Sequence, residues 1–341
     1  MSDRFLRALR GEPTDTVPIW LMRQAGRYLP GYRELRKAHS LLEIAGTPEL
    51  AVAAMLEPVR RFDLDAAVVF ADIMLPLRAV GIEFGIDPVR GPHVPEPVRG
   101  AAGLERFRPF DGRAVEPVAE TIRRFREVEP DRPVVGFAGG PFTLAAYLVE
   151  GRGSRDFPAA REMLYADPEG FGRLLDLLTE MTVRYLRLQA AAGADALQLF
   201  DTWVGLLPVP EFRRLVLPRL VRLFEELRGT PASTIYFSTG SDHLLGALDG
   251  LGVDAFGVDW RTPLREVRTR LARPYALQGN LDPAVLLGPA PEIRRAARAV
   301  LDELPDHRGH VFNLGHGVLP ATSPDAVETL VRIVRERGRA R

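Results

Sequence analysis

Cysteine is absent from the 341 residues. That absence removes disulfides, thiolate zinc sites, iron–sulfur ligation and a cysteine nucleophile. Lysine is nearly absent as well: Lys37 is the only one, so almost every fixed cation is an arginine. Net charge is missing too, because 45 basic residues balance 45 acidic ones. No overall field exists to gather nucleic acid or an anionic membrane, and an anionic ligand must be held by arginines placed locally. No apolar run approaches membrane-spanning length. The opening MSDRFLRALRGEPTDTVP carries early charges where a signal peptide would be apolar, so a soluble, cytoplasmic protein is expected.

Apolar material is plentiful, at 46% of residues, enough for a sizeable core. It is arranged as a repeated cycle of short β-rich run, polar or small-residue turn, and helical periodicity. The runs are Ile19–Met22, Ala66–Phe70, Pro133–Ala138, Ala196–Phe200, Thr234–Ser238, Ala255–Val258, Tyr275–Leu277 and Val311–Leu314. Helices are expected at Asp3–Arg10, Gly31–Ala38, Pro48–Phe62, Val115–Val128, Gly170–Ala192, Pro210–Leu227 and Asp325–Arg337. Gly81–Arg113, rich in Gly and Pro, reads as an irregular excursion or small hairpin. Eight strands alternating with helices predict an α/β fold, a single (β/α)8 TIM barrel spanning 1–341, ahead of an open doubly wound sheet.

The stretch VPIWLMRQAGRYLPGYR, Val17–Arg33, concentrates the chemistry. An apolar strand ends abruptly in Arg23, Gln24 and Arg27 around Ala25 and Gly26, so two guanidinium groups flank a turn open to close approach. Taken alone, either arginine is ordinary surface charge. Their place at a strand's C-terminal end, where barrel enzymes bind substrate, points to carboxylate or phosphate recognition. The other strand ends add Asp72, Tyr147, Thr202 and His316. Asp72 could serve equally as a helix cap, Thr202 is more often a cap than a ligand, and Tyr147 more often core or interface; a histidine between two glycines has little packing reason to be there. One carboxylate among arginines, hydroxyls and an imidazole suits a polyanionic substrate with an N–H-rich feature. HExxH, GxSxG, GxGxxG and Walker patterns are all absent, and Gly139-Gly140 fits a sharp turn with close backbone approach.

PIWLMRQAGRYLPGYR, FADI, GGPFTLAAYLVEG, QLFDTW, QGNLDP and NLGHG, in that order along the chain, resemble the uroporphyrinogen decarboxylase family. The resemblance implies a cytosolic (β/α)8 barrel, usually a homodimer. It implies removal of CO2 from the four acetates of uroporphyrinogen III, giving coproporphyrinogen III in haem and tetrapyrrole biosynthesis, with no cofactor and no metal. Carried over by motif, the catalytic positions are Asp72, Arg23, Tyr147 and His316, and substrate contacts fall on Arg23, Gln24, Arg27, Asp72, Tyr147, Thr202 and His316. Thr202 stands where the family commonly has serine and keeps the hydroxyl; Ala71 replaces a frequent serine. Corrinoid-linked methyltransferases of the same superfamily bind zinc through cysteine and are disfavoured here. A non-catalytic tetrapyrrole carrier is the other alternative.

Overall fold

The computed structural model describes residues 3–87 and 91–339. Its centre is a parallel sheet of seven strands whose spatial order follows the chain: β1 (Ala67–Val68), β4 (Val134–Gly139), β5 (Ala196–Asp201), β6 (Ser233–Ser238), β7 (Ala255–Gly257), β8 (Ala276–Leu281) and β9 (His310–Leu314). β2 (Gly85–Asp87) and β3 (Gly91–His93) form a separate antiparallel hairpin within the Gly/Pro-rich excursion, whose residues 88–90 lie outside the described ones. β4, β8 and β9 are buried along their whole length, as expected where both faces of a parallel sheet are covered.

The sheet curls, and two apolar cores result. The larger lies between the strands and the helices packed outside them; the smaller collects inward side chains from many strands, including Ala66, Val135, Ala196, Ile235, Ala255, Ala276 and Val311. Several of these stand at or beside the first residue of their strand and most are small, which leaves room for the helix Arg4–Leu9 to insert Phe5, Ala8 and Leu9 among them. That helix fills the N-terminal end of the curl. The opposite end stays open for a site.

The first expected strand, Ile19–Met22, does not form one. Only Ile19 makes a bridge, parallel to Phe312. Even so, the segment is fastened to both edges of the sheet. Pro18 O accepts from Phe312 N at 2.8 Å, and Ile19 O accepts from Asp65 N at 2.8 Å. Side chains take the place of a ladder: Asp65 accepts from Ile19 N at 2.6 Å and Asn313 from Met22 N at 3.0 Å, while Pro18 has no N–H to offer. Side-chain acceptors satisfy the backbone without regular strand pairing. An α/β fold with a curled seven-stranded sheet is therefore what stands, where eight regular strands were expected.

Other boundaries shift for local reasons. β1 pairs only Ala67 and Val68 with Val134 and Val135, shorter than Ala66–Phe70. β8 runs on through Gln278, Gly279 and Asn280, because each continues to pair with β9. The helix expected over Pro210–Leu227 is interrupted by a π-helical turn, Phe212–Val216, just before Pro218. A proline lacks the N–H of the regular helical bond and crowds the preceding turn, so the backbone widens there.

Asp65 is the staple of the closing region. Nearly buried, it accepts from Ile19 N and pairs with Arg4 at 3.1 Å and Arg335 at 2.8 Å, joining segments from both ends of the chain. Removing Asp65 leaves Ile19 N without its acceptor and Arg335 without its carboxylate, while Arg4 keeps Asp15 at 2.6 Å. Asp65→Ala should lower unfolding stability by about 3 kcal/mol, read as a fall in the urea midpoint with an unchanged slope.

Candidate active site

At the C-terminal ends of the strands lies a cleft of about 370 Å3. Its floor is apolar: Phe137, Phe200 and Phe237 from β4, β5 and β6 meet edge to face, with ring centroids 5.4 and 5.6 Å apart. Met22, Val68 and Phe70 extend it. Arg23, Arg27, Asp72, Tyr147, Thr202 and His316 all border this one cleft, though they span nearly the whole chain. From the excursion, Pro92 also reaches its wall.

The arginine turn is built from underneath. Tyr28 is buried, stacks on Phe62 at 6.3 Å and donates its hydroxyl to Gln24 O at 2.7 Å. Glu57 accepts from the N–H groups of Gly31 and Tyr32, both at 2.9 Å, and so caps the helix Pro30–Ala38 that follows. A Cβ on Gly31 would lie 2.7 Å from that carboxylate. Arg23 adopts the left-handed region, φ 59°, unusual for a residue with a Cβ. The loop after β9 holds it there: Val318 N donates to Met22 O at 2.9 Å, and a Cβ on Gly317 would sit 2.3 Å from Arg23 Cδ. The glycine after His316 is thus the seat of Arg23. Both guanidinium-bearing residues remain exposed at the rim.

Gln24 departs from expectation. It is fully buried, accepts weakly from Leu21 N at 3.5 Å, leaves its amide Nε2 without a partner, and is not among the residues that line the cleft. The turn explains this: Gln24 N donates to Leu21 O at 3.0 Å beside the left-handed Arg23, and the Gln24 side chain is turned into the protein.

Asp72 follows β1 and accepts from Met74 N at 2.8 Å, a local turn in place of a distant partner. Burial pushes its carboxyl above the usual range; the Met74 N–H and the facing Arg23 guanidinium act against that but do not cancel it. The result is a carboxylate short of hydrogen-bond donors, beside an apolar floor. Tyr147 packs against Phe157 and Trp203, with centroids at 5.4 and 6.4 Å, and burial raises its phenol further. Thr202 is fixed through its backbone, its carbonyl accepting from the Thr239 hydroxyl at 2.7 Å.

His316 accepts from Gly317 N through Nδ1 at 2.7 Å. That bond selects the tautomer with the proton on Nε2. Burial, followed by the Arg23 and Arg261 charges, lowers its pKa to about 4 although Asp259 opposes them. It is a neutral donor at physiological pH. His243 and Ser238, near in sequence, do not form a catalytic pair: His243 bonds to Leu207 O and Ser238 to Ser241. By nitrogen NMR, the His316 ring should show an unprotonated Nδ1 and a protonated Nε2, and should take up its second proton only near pH 4; titration at an ordinary histidine value would contradict this geometry.

Comparison with known proteins identifies the family. The family model for "Uroporphyrinogen decarboxylase (URO-D)" matches residues 1–337. A protein of Sorangium cellulosum named uroporphyrinogen decarboxylase is 46% identical over 342 aligned positions, covering 100% of this chain and 98% of its own. Its namesake in Streptomyces griseus is 45% identical, with 98% and 91% covered. Among solved structures, a methyltransferase from Methanosarcina mazei superposes with a TM-score of 0.77 at 24% identity, covering 98% of this chain and 97% of that one, a likeness of fold. With motifs, cleft and full-length similarity in agreement, the chain belongs to the uroporphyrinogen decarboxylase family.

Proposed function

We propose that this protein decarboxylates the acetate side chains of uroporphyrinogen III to give coproporphyrinogen III, in haem and tetrapyrrole biosynthesis. The observation that carries the reading is Asp72: a carboxylate with one hydrogen-bond donor, raised by burial, facing Arg23 above an apolar floor. Such a group is matched by what the substrate brings, namely pyrrole N–H donors and a positive charge.

The chemistry follows from the substrate. Protonation of the ring carbon beside an acetate makes an iminium-like cation. The bond to the carboxylate breaks, CO2 leaves, and the electron pair enters the ring. A proton then adds to the exocyclic carbon to make a methyl group and the ring carbon returns its own, so one proton is consumed for each CO2 released. The pyrrole is its own electron sink. Asp72 accepts from the pyrrole N–H groups and stabilises the cation. Arg23 and Arg27, exposed at the rim, grip carboxylates with their planar forks. Tyr147, Thr202 and the Nε2–H of His316 donate to others; because His316 is neutral, it orients without adding charge that would oppose the cation.

In this reading the fastened Pro18–Met22 segment serves as the eighth strand of a (β/α)8 barrel, the whole chain acts as one domain, and the enzyme works as a cytoplasmic homodimer without a cofactor. No helix among the described residues is long and apolar enough to cross a membrane.

Anaerobic incubation of the purified protein with uroporphyrinogen III, followed by oxidation and separation by carboxyl number, should yield porphyrins with progressively fewer carboxyls. Unchanged substrate would defeat the proposal. Asp72→Asn should lower kcat by about a hundredfold or more while porphyrinogen binding persists. Arg27→Ala should raise KM by about threefold to fivefold with a smaller change in kcat; an unaltered KM would remove Arg27 from the binding set.

A further inference from the structure

Asp201 ends β5, one residue before Thr202, and is fully buried. It does not border the cleft, and the chemistry above does not use it. Its carboxylate lies against the first turn of the helix Pro141–Glu150. Thr143 donates to Oδ1 from its backbone N at 3.2 Å and its hydroxyl at 2.7 Å, and the Tyr236 hydroxyl donates to Oδ2 at 3.2 Å. The same Thr143 hydroxyl accepts from Trp203 N at 3.1 Å. Gly140 N donates to Phe200 O at 2.8 Å, and a Cβ on Gly140 would fall 2.4 Å from Asp201 Cγ. Contact this close explains why glycine precedes Pro141, since no larger residue could stand between strand and helix.

Two cleft hydroxyls ride on the segments joined here. Thr202 lies between Asp201 and Trp203, the two residues bonded to Thr143. Tyr147 is one helical turn beyond Thr143, on the same face. We infer that Asp201, acting through Thr143, is the positioning residue that sets the Tyr147 and Thr202 hydroxyls relative to one another, and with them the fit of a substrate carboxylate. The inference rests on the decarboxylase reading for its substrate and on the hydrogen-bond geometry for everything else.

The arrangement also has a characteristic pH behaviour. Burial raises the Asp201 carboxyl to about 6, against the donors from Thr143 and Tyr236, and among the described residues Tyr236 is the titratable group bonded to it. Above that pH the carboxylate accepts all three hydrogen bonds; below it, the protonated form accepts them less well and the link loosens. Since the folded value lies above the ordinary aspartate range, the folded state takes up this proton before the unfolded chain does. Acid therefore loosens the positioning of the hydroxyls without unfolding the protein through this group.

The test is a cycle of anaerobic kinetics with uroporphyrinogen III on variants whose fold is checked by circular dichroism. Thr143→Val should raise KM about tenfold, the effect of one well-placed hydrogen bond, and Thr143→Ser, which keeps the hydroxyl, should stay within about twofold of the parent. In a background lacking both placed hydroxyls, Tyr147→Phe with Thr202→Val, Thr143→Val should add less than about twofold, because the groups it places are already gone. Fully multiplicative effects, or a folded Thr143→Val variant with the parent's KM, would overturn the inference. Should Thr143→Val fail to fold, Asp201→Asn decides: the acid limb of kcat/KM near pH 6 should vanish, and its persistence would count against Asp201. Absence of turnover in the parent would defeat the decarboxylase reading instead; the same cycle is then read on uroporphyrinogen binding by equilibrium dialysis, where the same non-additivity is required.

Discussion

The backbone of Pro18–Met22 is tied to β9 on one side and to the approach to β1 on the other, with the Asp65 and Asn313 side chains completing its hydrogen bonds. The arginine side of the cleft depends on that attachment. It brings the first turn of the chain beside the last, so that Arg23 rests against Gly317 and faces both His316 and Asp72. A regular strand would have carried its pairing further toward the rim. Ending the pairing at Ile19 frees the residues beyond to turn, and Arg23 takes a left-handed conformation that no ladder would tolerate.

Charge in the cleft is sorted by depth. At the bottom lie aromatic rings, above them a donor-poor carboxylate and an uncharged imidazole, and at the rim the exposed guanidinium groups. In a low-dielectric pocket a fixed cation near the reacting ring would oppose a developing positive charge, whereas a carboxylate there favours it. The same sorting keeps His316 deprotonated, since burial and the neighbouring Arg23 both disfavour its cation.

Much of this was legible in the sequence because strands buried on both faces are continuous apolar runs, and the first polar residue after each marks the rim. Arg23, Asp72 and His316 follow that rule, Arg27, Thr202 and Tyr147 lie further along the same connections, and all six meet in one cleft. Gln24 obeys the same rule in sequence but not in space: spacing alone does not say which of three consecutive turn residues points outward. Ile19–Met22 looked like a strand because its apolar pattern is that of one, while the side chains that replace its ladder come from residues far along the chain. Asp201 sits in the QLFDTW motif, yet nothing local distinguishes it from a strand-end carboxylate facing solvent; its burial is created by Gly140, Thr143 and Tyr236. The π-helical turn before Pro218 was signalled by the proline and hidden by the strong apolar periodicity around it.

The exposure of Arg23 and Arg27 has a consequence for how a ring bearing several acetates is handled. Ion pairs in solvent are weak and screened, each contributing on the order of 1 kcal/mol or less, so a hold built from them breaks and reforms readily. A deep, dry grip would fix one orientation of a large polyanion. For the reaction proposed above, a wet rim above an apolar floor would let a near-symmetric macrocycle lift, turn by one pyrrole and settle again over the same carboxylate.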